Sequence, residues 1–304
     1  METSNSHATS LGAKLIPTPR TVCQSVARDL RTFRTARDLV SYLSDAMEAH
    51  QKAYEVLGTL HGDVSPENIL IMVETRGILM DWDCSRSMCM PQPGARARIH
   101  RIRAWQFMSA NLTMNPETAS HGLLDDRESA LHVLMYMAIR YLHHDKVKYL
   151  RRHLAMFDDC YVLGDGSLCG SQSKESTIMT GGLHIKFEIP AIKKLIDRLC
   201  EHFAGLYRFR QEIPSSVDPC ARNLVVIIPP PDLADALEYH TRRFHQRCLQ
   251  SIRKADWFYS LLREYIPQIP DRAAHETDWV DNTTVLLQRK ARAAKQAMGG
   301  TKAT

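Results

Sequence analysis

The chain has 304 residues, of which 44% are hydrophobic and 24% are charged, as is usual for a globular protein. Its formal net charge of +5 is compatible with an anionic ligand but is too small to indicate nucleic-acid binding by itself. No apolar run approaches the about 20 residues that cross a bilayer, and the polar residues 1–10 do not resemble a signal peptide. The eight cysteines lack zinc-site spacing. We therefore expect reduced thiols and a cytoplasmic or nuclear protein without a membrane partner.

Residues 1–19 are rich in Ser and Thr and are expected to form a disordered tail. The first strong helix signal is a capping box, because Thr35 is followed at the third position by Asp38. Apolar residues then recur at helical spacing up to Gly58, a residue type at which helices commonly end. This pattern predicts a long helix near the start of a domain that spans residues 20–270.

The segment that follows this helix carries the clearest chemical signal. Asp63 and Asn68 lie five residues apart in the sequence that begins at His61, and Asp81 follows Asn68 by thirteen residues. Two short apolar runs joined by a polar turn predict a β-hairpin, which would bring these residues to one edge. The spacing is typical of phosphoryl transfer, in which one Asp accepts a proton while an Asn and a second Asp hold Mg²⁺. Alternatively, Asp63 and Asn68 cap a turn, and Asp81 only ends a strand.

The rest of the chain is mainly helical in its patterning. Residues 84–109 lack periodicity and indicate a long loop, after which Asp126 opens a strongly apolar helix. Residues 162–182 are rich in Gly and Ser and predict an exposed loop or insertion. Pro190 is suited to the first turn of a further helix, and residues 271–304 are assigned to a C-terminal tail. The predicted fold class is α+β, mainly α with a small β-hairpin.

These motifs resemble the protein-kinase superfamily, and specifically the fungal-type protein kinase family. Residues 61–70 resemble the catalytic loop, and residues 77–83 resemble the metal-binding strand with its three-residue signature. Residues 105–109 resemble the end of the activation segment, and residues 125–129 resemble the start of the central buried helix. The likeness covers roughly residues 20–210 in consistent order. It implies a protein-kinase-like C-terminal lobe.

The resemblance also implies a role for each matching residue. Asp63 corresponds to the catalytic Asp that accepts the hydroxyl proton, and Asn68 and Asp81 correspond to the Mg²⁺ ligands that help to bind ATP. His61 corresponds to a residue that packs under the site, and Asp126 corresponds to a buried Asp that hydrogen-bonds the backbone of the catalytic loop. ATP would be the phosphoryl donor, Mg²⁺ the cofactor and a protein the acceptor.

Several positions depart from the family pattern. Ser65, at the cofactor-binding position, stands where most Ser/Thr kinases carry a Lys. Gly62 replaces an Arg that usually pairs with an activation-loop phosphate, and this makes the motif similar to small-molecule phosphotransferases. Trp82 and Asp83 replace Phe-Gly, and Asn111 replaces the Glu that closes the activation segment.

The nucleotide lobe of the family has no counterpart before His61, so we expect this lobe to be missing or vestigial. Each missing charge-stabilising donor costs about 3 kcal/mol, which predicts weak activity or none. Three functions stay open: a weak protein Ser/Thr kinase, a pseudokinase-like interaction module whose partner supplies the missing elements, or a small-molecule phosphotransferase. The five Arg and His of Ala95–Arg103 favour contacts with a protein substrate over nucleic-acid binding.

Overall fold

The structure is a computed structural model that describes residues 27–72, 76–82, 86–87, 105–164, 168–208 and 236–299. The predicted tail at residues 1–19, Asp83 and the basic segment Ala95–Arg103 lie outside the described residues. The described part is mainly helical with small antiparallel sheets, so the predicted α+β class is confirmed. No helix within it is both long and apolar enough to span a membrane.

The described helices, in chain order, are α1 (Ala36–Leu57), α2 (Ala110–Met114), α3 (Leu123–Tyr141), α4 (Leu150–Asp158), α5 (Gln172–Met179), α6 (Pro190–Arg208), α7 (Ala236–Ile252), α8 (Trp257–Tyr265) and α9 (Asn282–Gly299). The strands are β1 (Arg28–Asp29), β2 (Thr59–Leu60), β3 (Ile69–Ile71), β4 (Gly77–Leu79), β5 (Arg86–Ser87), β6 (Cys160–Val162) and β7 (Leu168–Gly170). All strand pairs are antiparallel, and they form a β1-β3-β4 sheet and the two-stranded pairs β2-β5 and β6-β7.

Helix α1 begins and ends where its capping signals place it. The Thr35 hydroxyl accepts a hydrogen bond from the Asp38 backbone N–H at 3.0 Å, and the Asp38 carboxylate accepts one from the Thr35 N–H at 3.1 Å. Gly58 ends the helix with a φ of 61°, in the left-handed region that favours glycine. The chain therefore leaves α1 in a fixed direction and enters β2 and the predicted catalytic loop.

Helix α3 forms the centre of the hydrophobic core. Its apolar side chains are fully buried between α1 and the apolar face of α6, and they include Leu131, Leu134, Met135 and Ala138. Each fully buried Leu or Met side chain contributes about 1.5–3 kcal/mol relative to an exposed one. This packing fixes the position of the first turn of α3, which lies under the predicted catalytic loop.

The predicted hairpin is formed by β3 and β4, in a register that pairs Ile69 with Leu79. Gly77 begins β4 where the strand passes close to α1, and a Cβ added there would lie only 2.0 Å from the carbonyl oxygen of Tyr42. We expect Gly77→Ala to lower the free energy of unfolding by about 1–3 kcal/mol, because the strand must move away from the helix. Urea denaturation measures this change.

Gly164→Ala is the matched control for this experiment, because a Cβ at Gly164 would meet no atom within 4 Å. Its effect should stay within about 0.5 kcal/mol of wild type. Equal losses in the two variants would contradict the close packing of β4 on α1.

The prediction of an exposed loop at residues 162–182 is wrong. This segment contains β7 and helix α5, and Lys174 and Ile178 of α5 are fully buried. Its Gly and Ser content is typical of loops, but burial here depends on packing against α6 and α4, which local composition does not reveal.

The C-terminal tail predicted from residue 271 is also incorrect in part. Asp278 and Asn282 are buried, and the backbone N–H of Ala36 donates to the Asp278 carboxylate at 3.0 Å. The Asn282 side-chain amide donates to the carbonyl oxygens of Ile139 and Leu142 at 3.0 and 2.8 Å. These partners lie more than 100 residues away in the sequence, so no local pattern could predict them.

Candidate active site

Asp63 and Asn68 contact each other in the loop between β2 and β3. The Asn68 side-chain N–H₂ donates to the Asp63 carbonyl oxygen at 2.8 Å and to the Asp63 carboxylate at 3.1 Å. Because Asp63 accepts from this nitrogen twice, the Asn68 amide oxygen is left as an acceptor that can serve a cation. The bond to the Asp63 backbone carbonyl is a turn-capping contact, and the same pair also brings a carboxylate and an amide together.

The His61 ring connects this loop to the end of β4. Its Nδ1 accepts the backbone N–H of Asp63 at 3.2 Å, and its Nε2 lies 2.8 Å from the Met80 carbonyl oxygen. A carbonyl can only accept, so Nε2 carries the proton and the ring is the neutral tautomer. Burial lowers the pKa of His61, which also favours the neutral form. His61 thus supports the loop, as the resemblance implies.

Asp81 follows β4 at the same edge as Asn68. The Met80 backbone N–H donates to the Asn68 carbonyl oxygen at 2.8 Å, so the two strands remain paired up to the residue before Asp81. The φ of Asp81 is 63°, a left-handed conformation that is uncommon for a residue with a side chain. Backbone strain of this kind is concentrated at functional sites. The structure therefore brings Asp63, Asn68 and Asp81 to one edge.

The electrostatics of this edge favour a basic carboxylate at position 63. Burial raises the pKa of Asp63 above its usual value, and the hydrogen bond from Asn68 offsets part of that effect. The negative charge of Asp81 raises the same pKa further. A carboxylate with a raised pKa binds a proton more strongly, which suits a general base.

Asp126 of α3 fixes the backbone of the loop from below. Its side chain is 1% exposed and accepts the backbone N–H groups of His61 at 2.8 Å and Gly62 at 3.1 Å. The Nε2 atoms of His50 and His121 each lie 2.7 Å from the same carboxylate. Burial alone would raise the pKa of Asp126, but His121 and His50 hold it well below its usual range. The contact that the resemblance implies for this residue is present.

Divalent cations are bound by oxygen ligands, and this edge offers two: the Asn68 amide oxygen and the Asp81 carboxylate. Among the described residues, no group of three or more His, Cys, Asp and Glu side chains could hold a metal ion. A nucleotide-linked Mg²⁺ does not need such a group, because phosphates and water complete its coordination. The Asn68 amide oxygen and the Asp81 carboxylate fit this arrangement. Ser65 is buried beside them and carries no charge.

A second group of buried contacts holds residues Trp105–Ser109, which we call the platform. The Ser109 hydroxyl donates to the Asp125 carboxylate, and the next backbone N–H, that of Ala110, donates to Glu128 at 2.8 Å. Asp125 and Glu128 are not among the functional residues predicted from the sequence. The available signal was a run of four charged residues, Asp125–Glu128, at the start of an otherwise apolar helix.

The protein-family model described as fungal protein kinase matches residues 8–138 of the chain. The matched segment includes α1, the β3–β4 hairpin, Asp63, Asn68 and Asp81, and most of α3. No curated protein and no solved structure matches the chain.

Proposed function

We propose, from the match of residues 8–138 to the fungal protein kinase family, that the chain transfers a phosphoryl group from ATP to a Ser or Thr hydroxyl of a protein. The observation that carries the proposal is the Asp63–Asn68 contact beside Asp81, on a loop fixed by the buried Asp126. It is the arrangement that phosphoryl transfer requires: a base next to oxygen ligands on a rigid support.

In the proposed reaction, the acceptor hydroxyl oxygen attacks the γ-phosphorus, and the bond from that phosphorus to the bridging oxygen of ADP breaks. Asp63 accepts the proton that the hydroxyl loses. Asn68 and Asp81 would hold Mg²⁺, which neutralises phosphate charge when it is bound. The neutral His61 ring and the Asp126 carboxylate keep Asp63 in place.

We propose that this activity is weak, and Ser65 supports that. Where most members of the superfamily place a Lys cation against the transferred phosphate, this chain has a buried uncharged hydroxyl. Removal of one such donor typically lowers the rate by about 10²–10³-fold.

A small-molecule phosphotransferase is the second candidate, and the conformation of Gly62 favours it. Its φ is 80°, a region that an Arg would adopt only with strain. Glycine therefore suits the shape of this loop better than a residue with a side chain. Transfer to an aminoglycoside or a choline-like acceptor, without protein phosphorylation, would establish this alternative.

The test of the main proposal is transfer of radiolabelled phosphate from Mg-ATP to a generic basic protein. We expect Asp63→Asn to lower the rate by about 10²–10⁴-fold, because the base is lost while the contact with Asn68 can be kept. Because burial raises the pKa of Asp63, the wild-type rate should fall as the pH drops through that pKa. The matched control is Asp271→Asn at an exposed position, which should retain the wild-type rate.

Equal rates for wild type and Asp63→Asn would show that Asp63 is not the base. A thermal-shift measurement then separates the remaining possibilities, since ligand at about 100-fold above Kd stabilises a protein by about 2.7 kcal/mol. Stabilisation by Mg-ATP that is lost in Asp81→Asn, without any transfer, would indicate a nucleotide-binding interaction module. The absence of both transfer and stabilisation would indicate a module that binds its partner without nucleotide.

A further inference from the structure

Lys174 is a fully buried lysine under the platform. Its side chain is 0% exposed, and its Nζ donates to the carbonyl oxygens of Trp105 at 2.9 Å and Met108 at 3.0 Å. Within the part of the chain that the structure describes, it forms no ion pair with a carboxylate. A buried ammonium held only by neutral carbonyls is destabilising, because desolvation of a charge exceeds what such bonds return.

The charges around Lys174 only partly offset this burial. Glu128 on α3, and Asp158 and Asp159 at the end of α4, are the carboxylates whose fields favour the ammonium form. His132 on α3 also faces Lys174, and burial keeps that ring from gaining a proton. The net result is that burial lowers the pKa of Lys174 to about 7. Its amine therefore changes charge near neutral pH.

Lys174 contacts the platform backbone at Trp105, its first residue, and at Met108, its fourth. From the other side, the Trp105 indole donates to the Asp159 carbonyl oxygen at 3.2 Å, and the Gln106 side chain donates to Asp158 at 2.5 Å. Lys174 supplies the hydrogen bonds that hold two main-chain carbonyls of the platform against α5. The platform can leave this position only if Lys174 loses both bonds.

We propose that Lys174 is a positioning residue that clamps the platform onto α5, and that this clamp opens more readily when the amine is charged. The evidence for the clamp is the pair of hydrogen bonds that Lys174 donates to the platform. The relevance of the clamp to a protein substrate rests on the proposed function and on the resemblance of residues 105–109 to the end of a kinase activation segment.

The direction of the pH effect follows from the two states of Lys174. In an open state the amine lies in water and stays charged up to about pH 10.4. In the closed state it is charged below about pH 7 and neutral above it. Opening above about pH 7 therefore requires uptake of a proton, and it becomes harder by about tenfold for each pH unit. Below that pH both states carry the proton, so the opening equilibrium no longer depends on pH.

Hydrogen exchange of the full chain, read by mass spectrometry from about pH 6 to about pH 9, tests the clamp. After correction for the intrinsic exchange rate, protection of the platform amides should be flat at the acid end and should rise by about tenfold per unit above about pH 7. Amides of α1 serve as the reference for changes in global stability. Lys174→Met should lose the slope, because its side chain cannot titrate, and the exposed control Lys194→Met should keep it.

A flat wild-type profile, or a slope retained in Lys174→Met, would overturn the clamp. If Lys174→Met does not fold, the pH profile of the wild type alone decides whether the clamp depends on the charge of Lys174. In phosphorylation assays, Lys174→Met should raise KM for the protein substrate and leave KM for ATP unchanged, and an unchanged KM for the protein would overturn the positioning role. If wild type transfers no phosphate, the proposed function fails while the exchange profile still tests the clamp.

Discussion

Replacement of Asp126 by Asn is expected to lower the free energy of unfolding by about 3–5 kcal/mol, the usual consequence of breaking a buried charged network. Asp126 is the common acceptor of two backbone N–H groups, from His61 and Gly62, and of two histidine rings. An Asn side chain has one oxygen and presents an N–H₂ group to donors that already point inward. Buried donors without an acceptor then account for most of the loss.

Urea denaturation of Asp126→Asn measures this effect, with the exposed substitution Asp271→Asn as control. Because the pKa of Asp126 is held well below its usual range, its stabilisation is complete above the unfolded-state value of about 3.9. It is lost as the pH falls through the lower folded-state pKa. The part of the difference between wild type and Asp126→Asn that comes from titration of this carboxylate should therefore be lost only in strong acid. A loss below about 1 kcal/mol at neutral pH would contradict the central role of this carboxylate.

Arg127→Met is expected to cost about 2–4 kcal/mol, because bonds from a buried charged donor are worth more than neutral ones. The Arg127 guanidinium is 2% exposed and donates to the carbonyl oxygens of Ile252 at 2.6 Å and Ala255 at 2.7 Å. It also donates to the Gln51 side chain at 2.7 Å. Ile252 is the last residue of α7, where carbonyls lack helical partners and a cation is favourable. Met fills much of the same volume, so the change reports mainly on these bonds.

The control for Arg127→Met is Arg263→Met, the same substitution at a side chain that is 44% exposed and pairs with Glu48. A surface ion pair contributes about 0–1 kcal/mol, so this variant should remain near wild type. Hydrogen exchange at the end of α7 should also accelerate in Arg127→Met and not in the control. Comparable losses in the two variants would show that the buried guanidinium does not anchor α7.

The features that the sequence predicted well depend on neighbours in the chain. Thr35 and Asp38 form the capping box with each other, so four residues are sufficient to predict the start of α1. The Asp63–Asn68 contact spans five residues, and a short hairpin carries Asp81 to the same edge. Local propensity and turn geometry are sufficient for such contacts.

The features that the sequence missed depend on partners far away in the chain. Lys174 bonds to carbonyls 69 and 66 residues earlier, and Asp278 accepts a backbone N–H from 242 residues earlier. Neither position has an apolar pattern that would indicate burial. A lysine in a Gly- and Ser-rich segment and an acidic residue near the C-terminus both have the local character of surface residues.

The four consecutive side chains Asp125–Glu128 reach three different parts of the molecule from the beginning of α3. Asp125 and Glu128 bond to Ser109 and Ala110, where the platform joins α2, whereas Asp126 bonds to the loop that carries Asp63. One turn of an α-helix rises only about 5.4 Å, so a single turn sets the spacing between the loop that carries Asp63 and the platform. A shift of that helix by one residue would rotate it by about 100° and misalign both at once. The first turn of α3 therefore fixes the position of the Asp63 loop relative to the platform, and neither segment can move without the other.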